Sequence, residues 1–145
     1  MSGVHMALGI AVLVTNAVAA GWGAATWLRK RARWSIAFWP LLRVAQAVVA
    51  AQVLLGLFLA ATGKTAPDGL HIVYGISPLV VSLGSEAMRA GVAQRELEDV
   101  EDLEGLERSE QMALARRVAL AEVGVMTIGA LLIVTLALRA YQTGG

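Results

Sequence analysis

The 145-residue chain has no cysteine. That excludes a disulfide framework, a thiolate metal site, an iron–sulfur cluster and a cysteine nucleophile. Histidine occurs twice and proline three times. With two histidines and no cysteine, a closed four-ligand zinc or copper site would need Asp68 or backbone help. Charge is scarce as well: 16% of residues, with a net of +1, which favours no particular partner. No glycine-rich phosphate loop, HExxH, Ser-His-Asp arrangement or basic nucleic-acid footprint is present, which argues against hydrolase, kinase and nucleic-acid-binding functions.

What the chain has is apolar surface. Hydrophobic residues make up 57% of it, with a mean hydropathy of +0.65, more than a soluble domain of this length usually carries. A membrane helix needs about 20 mostly apolar residues, and four segments qualify, near 5–28, 39–61, 70–88 and 118–138. The first starts too close to Met1 for a charged leader region and lacks a small-residue cleavage site, so it reads as a retained span. The 15 glycines and many alanines permit close helix approach. The short connection 62–69, full of turn formers, makes spans two and three antiparallel neighbours, with Asp68 placed to cap span three. The expected fold is an all-α polytopic membrane protein: one up-down-up-down four-helix transmembrane bundle over 1–145, with spans one and three on one diagonal and two and four on the other.

Arg29, Lys30, Arg31, Arg33, Arg43, Arg89, Arg95, Arg108, Arg116 and Arg117 fall on one side of these spans, leaving Lys64 and Arg139 on the other. The excess of basic residues on one side places that side in the cytoplasm and both termini outside the cell membrane. Trp22, Trp27, Trp34, Phe38 and Trp39 gather at the same level, as an interfacial aromatic belt would.

Two local frames recur. His5-Met6-Ala7-Leu8-Gly9-Ile10 is echoed by His71-Ile72-Val73-Tyr74-Gly75-Ile76. Arg43-Val44-Ala45-Gln46-Ala47 is echoed by Arg117-Val118-Ala119-Leu120-Ala121. The order reads as a duplicated helical hairpin with a pseudo-twofold axis relating the histidines. In span three, His71, Tyr74 or Gly75, Pro78, Ser82 and Ser85 or Glu86 recur at helical spacing, so this stripe faces the bundle interior. Gly9 and Gly75 lie one turn below their histidines and leave room for a flat macrocycle. Two imidazoles from diagonal helices are the usual means of holding a b-type haem in a bundle, which makes His5 and His71 the candidate metal ligands and Gly9, Tyr74 and Gly75 candidate cofactor contacts. His5 has little helix above it, so such a site would be shallow. Only Lys64 and Arg139 are placed to meet its propionates.

The two-histidine bundle resembles a small membrane cytochrome b. Gln52-Val53-Leu54-Leu55-Gly56, then Thr62-Gly63, then His71, resembles one four-helix half of the haem A synthase family. Leu70-His71-x-x-Tyr74-Gly75 and the overall layout are similar to short four-span membrane proteins of actinobacteria. These resemblances imply haem b as cofactor and a role in electron transfer or respiratory-complex biogenesis. The alternative is a non-catalytic membrane scaffold or accessory subunit of a larger complex, with interfacial histidines.

At the basic side, Arg43, Glu86 and Glu122 sit within a turn or two of the span ends. A charge inside the bilayer costs at least about 2.5–3.5 kcal/mol unless paired or hydrated. Arg43 with Glu86 is the expected structural ion pair, with Glu122 sharing the arginine. A proton path or quinone-head site using Gln46 and Gln52 is the functional alternative. Asn16, in mid-span one, reads as an interhelical hydrogen-bonding group. Residues 90–117 form a cytoplasmic acidic segment, expected to be helical because Leu97, Val100, Leu103 and Leu106 repeat at near-helical spacing and Glu104 stands four residues before Arg108. Gly105 would divide it. Its acidic groups repel anionic lipid, so the part from 94 to 117 is either a solvated extension or a docking surface for a basic partner.

Overall fold

The computed structural model describes residues 3–63, 68–98, 100 and 102–143. Four helices account for most of them: α1 Gly3–Leu28, α2 Ser35–Ala61, α3 Gly69–Leu97 and α4 Arg108–Thr143, with a short 3-10 turn at Ala32–Trp34. All four are long and apolar enough to cross a membrane. The chain is therefore an all-α four-helix bundle compatible with a multi-pass membrane protein.

Local signals set the helix ends. Asp68 caps α3, its Oδ1 accepting from the Leu70 N–H at 3.1 Å. At the end of α1, the Arg31 N–H reaches the Thr26 carbonyl at 2.9 Å and the Lys30 N–H reaches the Trp27 carbonyl at 3.1 Å. This double closure requires a left-handed residue, and Lys30 supplies it at φ 51°.

The packing order is uneven. α4 packs extensively on both α3 and α1, and α1 packs on α2, whereas α2 meets α3 only sparsely and the α1 and α3 backbones do not approach each other. Glycines on α4 account for part of this. A Cβ on Gly129 would collide with Ser85 of α3, and Gly124 lies directly beneath Trp27 of α1. The core has two parts. One contains Ala19, Phe38, Leu42, Ala45, Val123 and Met126. The other, nearer the opposite end, contains Val12, Val49 and Ile133. Outward side chains such as Leu54, Leu83 and Leu132 are exposed, which suits a surface that faces lipid.

One end of the bundle holds the start of α1, the α2–α3 connection and the end of α4. The other, basic end holds the α1–α2 and α3–α4 connections, tied together where Arg116 Nη2 donates to the Lys30 carbonyl at 2.8 Å.

Several sequence expectations change here. α2 begins at Ser35, α3 runs on to Leu97 and α4 starts at Arg108, each helix continuing past its apolar run. Among the described residues, the acidic segment 90–117 is helical only at its two ends. The described residues between Leu97 and Arg108 are not helical, so Glu104 and Arg108 share no helix. The loop is instead held by Gln111 Nε2, which donates to the Leu103 and Leu106 carbonyls at 3.0 and 3.2 Å. Asn16 is buried but bonds within its own helix, Nδ2 donating to the Val12 carbonyl at 2.9 Å. A twofold exchanging the hairpins would make the α1–α4 and α2–α3 seams alike, and they differ sharply.

Candidate functional site: a cavity lined by both histidines

His5 lies in the first turn of α1 and His71 in the first turn of α3. Their helices are diagonal, yet the rings meet across the bundle, centroids 6.0 Å apart and planes at 64°. Below them lies a cavity of about 610 Å³, lined by both histidines and by Gly9, Gln52, Tyr74, Gly75 and Tyr141 among others. This volume falls within the range of small-molecule sites, about 300–1,000 Å³. The candidate ligands His5 and His71 and the candidate contacts Gly9, Tyr74 and Gly75 all line it.

His71 is oriented by α4. Its Nδ1 stands 2.9 Å from the Ala140 carbonyl oxygen, and a carbonyl can only accept. Nδ1 therefore carries a proton, and in the neutral ring Nε2 keeps its lone pair. Histidine ligands are commonly fixed through such a bond on the non-ligating nitrogen. His5 Nε2 lies 3.4 Å from Gln52 Nε2 of α2. A Cβ on Gly56 would sit 3.3 Å from the His5 ring, so this glycine lets α2 close on the imidazole. Gly75 has nothing within 4 Å of its missing side chain and opens the wall from the α3 side. Pro78 on the same wall lacks an N–H, which removes the usual helical donor for the Tyr74 carbonyl.

The donor set limits what the site can hold. Among the described residues, no group of three or more His, Asp or Glu side chains is placed to hold a metal ion, and the Asp68 carboxylate is engaged in capping. Two imidazoles suit a metal that arrives with its own equatorial donors. His5 and His71 are the residues that could hold such a group, with Gly9, Tyr74 and Gly75 along its walls. Of the propionate partners expected from the sequence, Lys64 lies outside the described residues. Arg139 does not line the cavity and donates to Gln142 at 3.4 Å.

A second polar cluster occupies the basic end. Glu86 Oε1 accepts from Arg43 Nη1 and from Gln46 Nε2. Glu86 Oε2 accepts from Arg89 Nε at 2.9 Å, and Arg89 Nη1 donates to Glu122 Oε1 at 3.0 Å. The Arg89 guanidinium also lies over the Trp39 ring, 5.3 Å from its centroid. Glu122 thus takes its cation from Arg89, not from Arg43 as the sequence had implied. Two arginines and two glutamates cancel, so the network is electrically neutral. Gln52, grouped from sequence with Gln46, belongs to the histidine cavity instead. The apolar Val12–Val49–Ile133 cluster, whose two valines floor the histidine cavity, stands between the two polar regions.

Tyr141 and the Ala140 carbonyl are parts of the site that sequence reasoning missed. No hydropathy signal marks them, because they belong to a part of α4 beyond the apolar run.

Comparisons with protein-family models, curated proteins and solved structures find no match to the chain.

Proposed function

We propose that this protein is an integral membrane haem b-binding protein, serving electron transfer or the biogenesis of a respiratory complex. The carrying observation is the convergence of His5 and His71 from diagonal helices onto one cavity, rings 6.0 Å apart. Gly9 and Gly75 recess two of its walls, and the Ala140 carbonyl holds His71 in the tautomer that leaves Nε2 as a ligand. A haem held by His5 and His71 would supply a reversible one-electron couple, with its potential set by those ligands and by burial. The chain's own part is to orient two imidazoles and to surround the ring with largely apolar walls. The basic excess at the other end supports an orientation with both termini and the cavity on the extracytoplasmic side of the cell membrane.

The test is optical. Protein purified from haem-replete cells is expected to show a Soret band that is lost in His71→Ala and in His5→Ala. A preparation that is colourless and stays colourless on haem titration overturns the reading. The chain would then stand as a scaffold or accessory subunit, with residues 94–117 as its surface for a basic partner.

A further inference from the structure

The cavity is bounded by four seams, and they are not equally closed. The α1–α2, α1–α4 and α3–α4 seams are well packed, and the α2–α3 seam is not. At the basic end that seam is clamped by the bonds of Arg43 and Gln46 to Glu86. At the histidine end, among the described residues, no side-chain hydrogen bond joins α2 to α3. There the facing walls are small or apolar: Gly56, Leu57 and Ala60 on one side, Ile72, Gly75 and Ile76 on the other. Leu54, Phe58 and Val73 stand exposed on the flanking surface. Such a rim is at home in hydrocarbon and costly in water. The cavity also extends down to Val49, which lies about 18 Å below the end of α2 at 1.5 Å per residue. Its lower part is therefore at bilayer depth.

We infer that the α2–α3 seam at the histidine end is a lateral portal, through which the ligand reaches the cavity from the lipid phase. The ligand is accordingly an amphiphile with a flat apolar body, not a water-borne solute. The identity of the ligand rests on the haem reading; the route does not.

The absence of native cysteine makes the route directly testable. Gly75→Cys places a thiol where nothing lies within 4 Å. In liposomes, pyrene maleimide, which partitions into lipid, should label this thiol faster than a membrane-impermeant charged maleimide does, on the order of tenfold after normalisation to the exposed Thr62→Cys. Equal labelling, or a preference for the charged reagent, would show a cavity open to water and overturn the portal. The second arm joins Leu57→Cys to Ile72→Cys with a short bifunctional thiol reagent. Haem uptake from preloaded vesicles, read as growth of the Soret band, should slow by on the order of tenfold relative to the same variant left unlinked. An unchanged rate after linking also overturns the portal. If the unlinked protein never takes up haem while Gly75→Cys still labels from the lipid, the haem reading fails and the portal stands.

Discussion

Arg89 holds Glu86 and Glu122 at once, through Nε at 2.9 Å and Nη1 at 3.0 Å. One guanidinium thereby locks α3 to α4 and also supports the carboxylate that reaches Arg43 on α2. Removing it leaves Glu122 without its cation, while Glu86 keeps only Arg43 and Gln46. We expect Arg89→Ala to cost on the order of 3 kcal/mol, the scale of a broken low-dielectric ion pair. Arg43→Ala should cost clearly less, because that side chain is 53% exposed and Glu86 keeps Arg89 and Gln46. Thermal unfolding in mild detergent measures both. Equal losses would show that Arg89 is not the central member of the network.

The hydrogen bond from His71 to the Ala140 carbonyl predicts a tautomer. In protein labelled with 15N-histidine, the neutral form of His71 should carry its proton on Nδ1 and leave Nε2 bare. A neutral ring protonated on Nε2 alone would contradict the bond and remove the proposed ligand atom.

Close approach of α3 to α4 depends on Gly129. We expect Gly129→Ala to destabilise by about 1–3 kcal/mol, the usual scale of overpacking, because its Cβ meets the Ser85 side chain. The double variant Gly129→Ala with Ser85→Gly should recover much of that loss. Additive losses in the cycle would mean that the two positions do not press on each other.

Lys30 occupies the left-handed cap of α1 at φ 51°, a conformation that costs a side-chain-bearing residue roughly 1–2 kcal/mol. Glycine relieves that cost but frees the unfolded chain. The net expectation for Lys30→Gly is a gain of about 0.5–1 kcal/mol. The Arg116 bond uses the backbone carbonyl of residue 30 and is retained. A lower unfolding midpoint in the variant would refute this account of the cap.

Hydropathy alone revealed the four spans, since lipid exposure demands long apolar runs. It could not show where the helices stop, because a helix leaving the hydrocarbon continues through polar residues without a break in hydrogen bonding. This is why Arg89 read as part of a connection, although α3 carries it one turn beyond Glu86 and into the network. The short α2–α3 loop shows that these helices are neighbours, but not how tightly they pack. That depends on where small residues lie, and Gly124 and Gly129 draw α1 and α3 towards α4. The histidine frames brought His5, His71, Gly9, Tyr74 and Gly75 together from spacing alone. Ala140 escaped notice because a backbone carbonyl leaves no trace in side-chain chemistry.

All four tryptophans, Trp22, Trp27, Trp34 and Trp39, lie in the basic half of the bundle. Along α1, His5 and Trp22 are separated by about 25 Å at 1.5 Å per residue. Tryptophan emission therefore originates at one pole while the cavity occupies the other. A light-absorbing molecule seated between the histidines would act as a distant energy acceptor, dimming the nearer indoles more than the farther ones, so the bundle carries its own optical ruler along the membrane normal.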